Sequence, residues 1–550
     1  MSGMRNRTVI AGQPPPTQDG GVHQRAPEAT DDEQATGPSL NATWWARLAG
    51  VVAGLAGLAI AELVAWAVAP AGSPVPAVGE LIIGLLPAPL VNWGKETLGT
   101  ADKPVLIAII TVAVLILSGL GGQLERRRRY AGAAVFGVIA VLGIVGVAAR
   151  PGTAPSEYVP TFVGLLIGYM ILGTLIAKLW RWLPRRAAVE PGVPPSAARR
   201  DFLAWTILIG TAAGLAAVAG SVLSKAATAV TDARAKLRLP AAAKPAAPVP
   251  AGAQLGVPGI TSYVTPNAEF YRIDTSLQVP VIDPDNWRLT ITGMVQNEVA
   301  ITYTELLAKP LVEHFTTLTC VSNEVGGDLA GNARWLGYPI RELLAQAKPL
   351  AGADMVLSTS DDGWTAGTPL TALTDPDREA ILAVGMNGEP LPIEHGFPVR
   401  MVVPGLYGYV SATKWVVNLK VTTYEKDEAY WTPLGWSAKG PIKIASRIDV
   451  PTRTVDAGTV AVAGVAWAQH TGIAGVEVQV DQGPWQPAVI ADTTGPDTWR
   501  QWKYAWAATP GTHRLTVRAT DAKGTLQTAA LAPPAPDGAT GYHSITVKVR

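Results

Sequence analysis

Four stretches of the chain, approximately residues 46–69, 104–122, 131–149 and 160–180, are nearly unbroken runs of Ala, Val, Leu, Ile and Gly. Each approaches the roughly 20 apolar residues that a bilayer-crossing helix needs. A fifth runs from Phe202 to Leu223. The stretch 78–91 is also apolar, but it is short and broken by Pro87 and Pro89, which predicts a re-entrant or interfacial segment. Residues 44–224 are therefore expected to form an α-helical membrane domain of five spans. Residues 1–43 are polar and rich in Pro, Gly, Asp, Glu and Gln; with too little apolar surface to offset ordering, they are expected to be a disordered tail. The Ala- and Pro-rich segment 225–258 reads as an extended tether of moderate stiffness.

Beyond it the pattern becomes that of a globular protein. Residues 259–440 mix short β-rich runs (Trp287 to Ile291, Val399 to Val403, Lys414 to Val421) with helical pieces, of which Thr304 to Leu307 and Ile340 to Ala347 are the clearest. Dense Gly and Pro punctuation predicts an α+β domain with long loops. Residues 441–550 alternate instead: Val476 to Val480, Leu515 to Ala519 and Ile545 to Val549 follow a strict period of two, and Trp502, Tyr504 and Trp506 share a face. Turn signals at Asp481-Gln482-Gly483, Pro510-Gly511 and Asp521 to Gly524 separate the runs, which predicts an immunoglobulin-like β-sandwich.

Charge orients the membrane part. Arg126 to Arg129 lie between spans two and three, and Lys178, Arg181, Arg185, Arg186, Arg199 and Arg200 between spans four and five, while the other loops carry only Lys95, Lys103 and Arg150. The positive-inside rule puts the basic loops in the cytoplasm, the amino terminus inside and everything after residue 224 outside. Arg199-Arg200-Asp201-Phe202-Leu203 also resembles a twin-arginine export motif. All six histidines (His23, His314, His395, His470, His513 and His543) lie outside 44–224, which excludes a bis-histidine haem in the bilayer, and no CxxCH is present. Glu62 is the acidic residue deepest in a span, a functional candidate without a visible partner. The net charge of +1 argues against a nucleic-acid partner.

Cys320 is the only cysteine of the 550 residues, so no intrachain disulfide forms. A lone thiol outside the cytoplasm is prone to oxidation unless it is buried or holds something. Phosphate loops, GxGxxG fingerprints and HExxH helices are absent. Three segments carry the remaining chemistry: Asn267 to Asp274; Thr317 to Asn323, running on to Gly337; and Met386 to Arg400, continuing through Val402-Val403-Pro404-Gly405 to Lys414-Trp415.

These segments resemble the sulfite oxidase family of molybdenum–pterin enzymes, and the MNGxPLPxxHGFPxR string followed by VVPG and KW is the most specific part. The resemblance covers roughly residues 260–425. It implies a molybdopterin cofactor whose metal takes Cys320 as thiolate ligand, a soft donor suited to that environment. It places His395 and Arg400 against the pterin and its phosphate, Lys414 as a further charge there, and the backbone of Ala412 and Thr413 as donors. Asn267 and Tyr271 fall within the first cofactor-binding segment, and the loop Ser360 to Trp364 is expected to approach the pterin. Arg272 matches the arginine that sulfite-oxidising members place beside the metal, with local pairing to Asp274 or Glu269 as the alternative. Asp274 stands where those members have histidine. The terminal sandwich, including Gly541-Tyr542-His543, looks like the family's dimerisation domain, which makes a homodimer a candidate assembly.

The reading that follows is a bacterial multi-pass membrane protein with extracytoplasmic catalytic domains, an oxidoreductase performing two-electron oxygen-atom transfer on a small sulfur-containing substrate in the manner of a sulfite dehydrogenase. No haem domain is evident, so the electron partner is a separate cytochrome or quinone-linked carrier. A reductase of S- or N-oxides such as methionine sulfoxide is the alternative enzyme, and a non-catalytic membrane receptor is the alternative of another class.

Overall fold

The computed structural model describes residues 42–550 apart from 70–71, 88–89, 91–92, 95–96, 99–100, 151–152, 184–194, 277–278 and 453. The expected tail, 1–43, lies almost wholly outside the described residues. The helical region consists of α1 (Ala42–Val68), α2 (Pro74–Leu85), α3 (Asp102–Arg127), α4 (Ala131–Ala148), α5 (Val159–Trp182) and α6 (Pro195–Lys236). Among the described residues, four helices are long and apolar enough to cross a membrane: α1, α3, α4 and the helix ending at Trp182. The fifth predicted span falls inside α6, a 42-residue helix. The 78–91 stretch forms the short apolar helix α2, which continues only to Leu85.

Small residues let these helices touch backbone to backbone, the usual device where water cannot drive association. A Cβ at Gly50 would lie 2.1 Å from the Ser118 carbonyl oxygen, and one at Gly164 would lie 2.6 Å from that of Gly57. Glu62 does have a partner: Ser73 Oγ lies 2.8 Å from both its carboxylate oxygens.

The expected tether is different from the sequence reading. Helix α6 runs on to Lys236, and Arg234 Nε donates to the Leu391 carbonyl at 2.6 Å. The Ala/Pro segment after it is bonded to the globular part, with Ala243 N–H donating to Leu311 O at 2.8 Å and Glu313 N–H to Lys244 O at 2.9 Å. Prolines begin only at Pro240, so nothing stops the Ala-rich helix before that point.

The central region contains, in chain order, β1 (Arg288–Gly293), β2 (Val299–Thr302), α7 (Tyr303–Leu307), β3 (Val312–Thr319), β4 (Ala330–Pro339), α8 (Ile340–Ala347), β5 (Met355–Ser360), β6 (Thr365–Pro369), α9 (Leu370–Thr374), β7 (Ile381–Met386), β8 (Glu389–Pro390), β9 (Arg400–Val402) and β10 (Val416–Thr422). Local sequence explains several boundaries. Thr302 and Glu305 close a capping box on α7, and Pro339 precedes α8. One sheet has the order β2-β1-β10-β5-β6 and the other β3-β4-β7-β8, with β9 added on β7. The pair β1–β10 is parallel and the other pairs are antiparallel. A core that includes Trp287, Leu289, Leu343, Val356, Val384 and Leu419 fills the region, while Phe270, Leu318, Trp335, Met386 and Phe397 form a second cluster under the site.

The C-terminal region contains β11 (Ala445–Val450), β12 (Gly458–Trp467), β13 (Ile473–Val480), β14 (Gln486–Pro487), β15 (Val489–Ile490), β16 (Arg500–Ala508), β17 (Gly511–Asp521) and β18 (His543–Val549). They make two four-stranded antiparallel sheets, β11-β12-β16-β15 and β14-β13-β17-β18. Inward residues of both, such as Val462 and Trp502 from one and Val478 and Val517 from the other, share one core, which is the burial that the period-two alternation requires.

Candidate functional site

Cys320 follows the last residue of β3 and is 8% exposed. The loop after it folds on its own backbone: Cys320 N–H donates to Leu329 O at 2.9 Å, Asn323 N–H to Cys320 O at 3.1 Å, and Leu329 N–H to Asn323 Oδ1 at 2.8 Å. The C-terminal region braces the strand, with Gln469 Nε2 donating to Thr317 O at 3.0 Å and Thr319 Oγ1 at 2.9 Å. Tyr271 stacks on Phe270 with ring centroids 5.2 Å apart. Burial, then the nearby Cys320 thiol, pushes its hydroxyl well above the ordinary tyrosine range. A Cβ at Gly408 would lie 3.8 Å from the Thr319 carbonyl oxygen and 4.0 Å from the Tyr271 hydroxyl, so Tyr271 lies near the residue that precedes Cys320.

The third segment delivers the cations. A 3₁₀ turn, Ile393–His395, ends at Gly396 with φ 109°, and a Cβ there would lie 2.9 Å from Arg400 Cβ and 3.2 Å from Lys414 Cα. Only glycine lets these three residues converge. Arg400 is 5% exposed. Its guanidinium donates to His395 O at 3.1 Å and Ala412 O at 3.3 Å and lies 5.1 Å from the Trp335 ring centroid. Among the described residues no carboxylate pairs with it. Burial, with little offset from Tyr271, pushes its pKa down to about 10.

His395 is 3% exposed. Burial first, then the Arg400 and Lys414 charges, pushes its pKa down to about 3, against a hydrogen bond with the Asn267 backbone. The imidazole is thus neutral at physiological pH. Asn267 is held in turn, its Oδ1 accepting from Asn387 Nδ2 at 2.8 Å. Lys414 Nζ lies 2.8 Å from Asp274 Oδ2 and 3.1 Å from Glu394 O. Burial pushes it down to about 8 despite the attraction of Asp274.

The first segment differs from expectation in one respect. Arg272 makes the local pair, Nε to Asp274 Oδ2 at 3.0 Å. Asp274 is the hub of the cluster: burial would raise its carboxyl, but the Lys414 and Lys103 ammoniums more than offset that and hold it well below the usual carboxylate range. Lys103, on the first turn of α3, reaches Asp274 Oδ1 at 2.5 Å. In the sequence it figured only as a loop charge, because nothing local announces a contact spanning 171 positions. Ala412 N–H donates to Gly408 O at 2.9 Å, and the Thr413 hydroxyl meets Ser358 Oγ at 2.6 Å. The loop Ser360 to Trp364 abuts the site, with Asp361 N–H donating to Trp415 O at 2.9 Å.

The structure thus brings Asn267, Tyr271, Arg272, Cys320, His395, Arg400, Ala412, Thr413 and Lys414 into one neighbourhood. Three cations, Lys103, Arg272 and Lys414, meet the buried carboxylate of Asp274, while the buried Arg400 guanidinium has no carboxylate among the described residues, which is expensive unless an anion meets it. A phosphate-bearing cofactor with a soft, thiolate-seeking metal fits that donor set.

Residues 276–431 match the oxidoreductase molybdopterin binding domain. The likeness of this region is therefore to a molybdopterin-binding domain of oxidoreductases. Rat mitochondrial sulfite oxidase is 30% identical over 275 residues, which are 42% of this chain and 50% of that protein. Human mitochondrial sulfite oxidase is 29% identical over 306 residues, 46% and 55% of the two chains. The sulfane dehydrogenase SoxCD from Paracoccus pantotrophus aligns with a TM-score of 0.46 and 23% identity, over 52% of this chain and 82% of that one. The chain spans about half the length of the mammalian relatives it matches. This central region is similar to the sulfite oxidases and to the molybdopterin-binding domain of oxidoreductases.

Proposed function

We propose that the protein is a membrane-anchored, extracytoplasmic oxidoreductase that binds molybdopterin between Cys320, His395 and Arg400 and acts on a small sulfur-containing substrate. The observation that carries this reading is Arg400, buried at 5% exposure without a carboxylate among the described residues. When bound, the cofactor supplies two-electron oxygen-atom transfer. Cys320 offers its thiolate to the metal, and Arg400 offers a planar, permanently charged fork to the phosphate. His395 stays neutral and holds its position through Asn267, so it donates or accepts a hydrogen bond without competing for the anion. Arg272 is 37% exposed in its side chain and presents a cation to the substrate. Metal and pterin analysis of the purified protein tests the reading, together with turnover of sulfite and of methionine sulfoxide with artificial electron carriers. A protein devoid of both molybdenum and pterin sinks it.

Arg272→Gln is expected to raise the KM for sulfite and weaken sulfate inhibition about 10- to 150-fold, the worth of one charge-assisted hydrogen bond. Steady-state kinetics reads it, and unchanged sulfite kinetics removes Arg272 from the pocket. The Arg272–Asp274 pair favours one second reading, reduction of a neutral S- or N-oxide, for which the same substitution costs much less. Electrons pass to or from a separate cytochrome or quinone-linked carrier, and the C-terminal region, assigned to the immunoglobulin type, is a candidate surface for pairing two copies.

The arginine asymmetry supports an inside amino terminus and an outside globular part. The contacts are consistent with it: Lys103 meets Asp274, while Arg126 bonds Leu183 O at 3.1 Å on the basic-loop side. Reporter fusions at residues 127 and 240 are expected to read opposite faces of the membrane. The same face for both overturns the topology.

A further inference from the structure

Asp274 is 4% exposed in its side chain, and both its oxygens are taken. Oδ2 accepts from Lys414 Nζ at 2.8 Å and Arg272 Nε at 3.0 Å, while Oδ1 accepts from Lys103 Nζ at 2.5 Å. Lys103 Nζ also donates to Ser276 O at 2.5 Å and reaches Asp274 O at 3.4 Å. An ammonium has three donors, and here all three are directed at residues 274–276. This is not an exposed ion pair of negligible worth: the Lys103 side chain is 22% exposed and that of Lys414 is 11% exposed.

The charge balance is the important point. Three cations on one carboxylate leave an excess of two positive charges, whereas without Lys103 the excess is one. Taken alone, Asp274 argues against an anionic substrate, because it cancels a cation beside Arg272. Lys103 reverses that argument. It also ties down Oδ1, so the carboxylate cannot turn to grip the Arg272 fork with both oxygens, and the rest of the guanidinium stays available to a ligand.

We propose that Lys103, a residue of helix α3 in the membrane part of the chain, is a positioning residue of the catalytic site that sets its specificity for a small, doubly charged oxyanion. It does so by holding Asp274 and supplying the second unit of excess positive charge. The inference rests on the oxygen-transfer reading of the site and deepens it by naming the substrate class. It also means that the membrane part completes the site in addition to anchoring it.

The test uses the full-length protein in detergent or nanodiscs, with sulfate as the probe in calorimetric titration. Lys103→Met is expected to weaken sulfate binding about tenfold or more, the scale of one charge-assisted interaction, and to raise the sulfite KM by a similar factor, with the effect on KM larger than on kcat. Molybdenum content is expected to stay at the wild-type level. Lys103→Arg, which keeps the charge, is expected to retain most of the affinity. The double variant Lys103→Met/Asp274→Asn restores the excess of two charges and is expected to recover sulfate binding, a rescue that a purely structural role for Lys103 does not produce. Unchanged sulfate affinity in Lys103→Met overturns the proposal, as does a wild-type protein that binds no sulfate, an equal loss in Lys103→Arg, or a loss of molybdenum that accounts for the lost binding. If the wild type binds sulfate but oxidises no sulfite, the oxygen-transfer reading fails for that substrate while the isotherms still decide the role of Lys103.

Discussion

Cys320→Ser is expected to yield a folded protein whose turnover falls by more than the roughly 100-fold that loss of a hydrogen-bond partner of a metal ligand costs. A hydroxyl is a hard, weakly acidic donor, and a thiolate-seeking metal discriminates strongly between the two. The fold is expected to survive because the loop around residue 320 is held by its backbone: the bonds from Cys320 to Leu329 and from Asn323 to Cys320 do not involve the sulfur. Burying a hydroxyl in place of the thiol costs about 1–3 kcal/mol on mutational scales, against a domain stability of about 5–15 kcal/mol. Thermal melting and turnover of the purified variant check both halves. Wild-type turnover makes Cys320 an ordinary core thiol.

Arg400→Met is expected to strip the cofactor. The methionine fills the slot against Trp335, but His395 O and Ala412 O each lose a donor, at about 1–3 kcal/mol apiece. An anionic group in the pocket loses a charge-assisted pair worth about 1.5–3 kcal/mol. Pterin and molybdenum per chain are expected to fall more than tenfold, with a lower melting temperature. Arg400→Lys is expected to be intermediate, since it keeps the charge and loses the fork. Fluorescence of released pterin and elemental analysis measure the effect. Full occupancy in the methionine variant makes Arg400 a structural strand-end cation.

Much of the architecture was legible because the signals were periodic or long. Helices α7 and α8 begin within a residue of the predicted pieces, and the alternation of Val476 to Val480 and Leu515 to Ala519 lies inside β13 and β17. The expectation that Cys320, His395 and Arg400 serve one site came only from family resemblance, since their placement depends on how β3, β7 and β9 assemble. Two features escaped. Composition averaged over 225–258 concealed an Ala-rich start that continues α6 and prolines confined to the later part. Lys103 escaped because a contact between helix α3 and a loop 171 positions away leaves no local pattern, and Asp274, read as a departure from the family, proved to be the residue on which three cations meet.

The continuation of α6 to Lys236 has a consequence for how the chain can change. A coil between a membrane anchor and a catalytic part absorbs an inserted or deleted residue without notice. A helix does not: each residue advances the axis by about 1.5 Å and turns everything beyond it by about 100°. Arg234 would then no longer face the carbonyls of Pro390 and Leu391, and the whole globular part would be rotated about the helix axis, out of phase with Lys103. The angular setting of the globular part on this helix is therefore counted out in residues, and only changes of about a full turn preserve its phase.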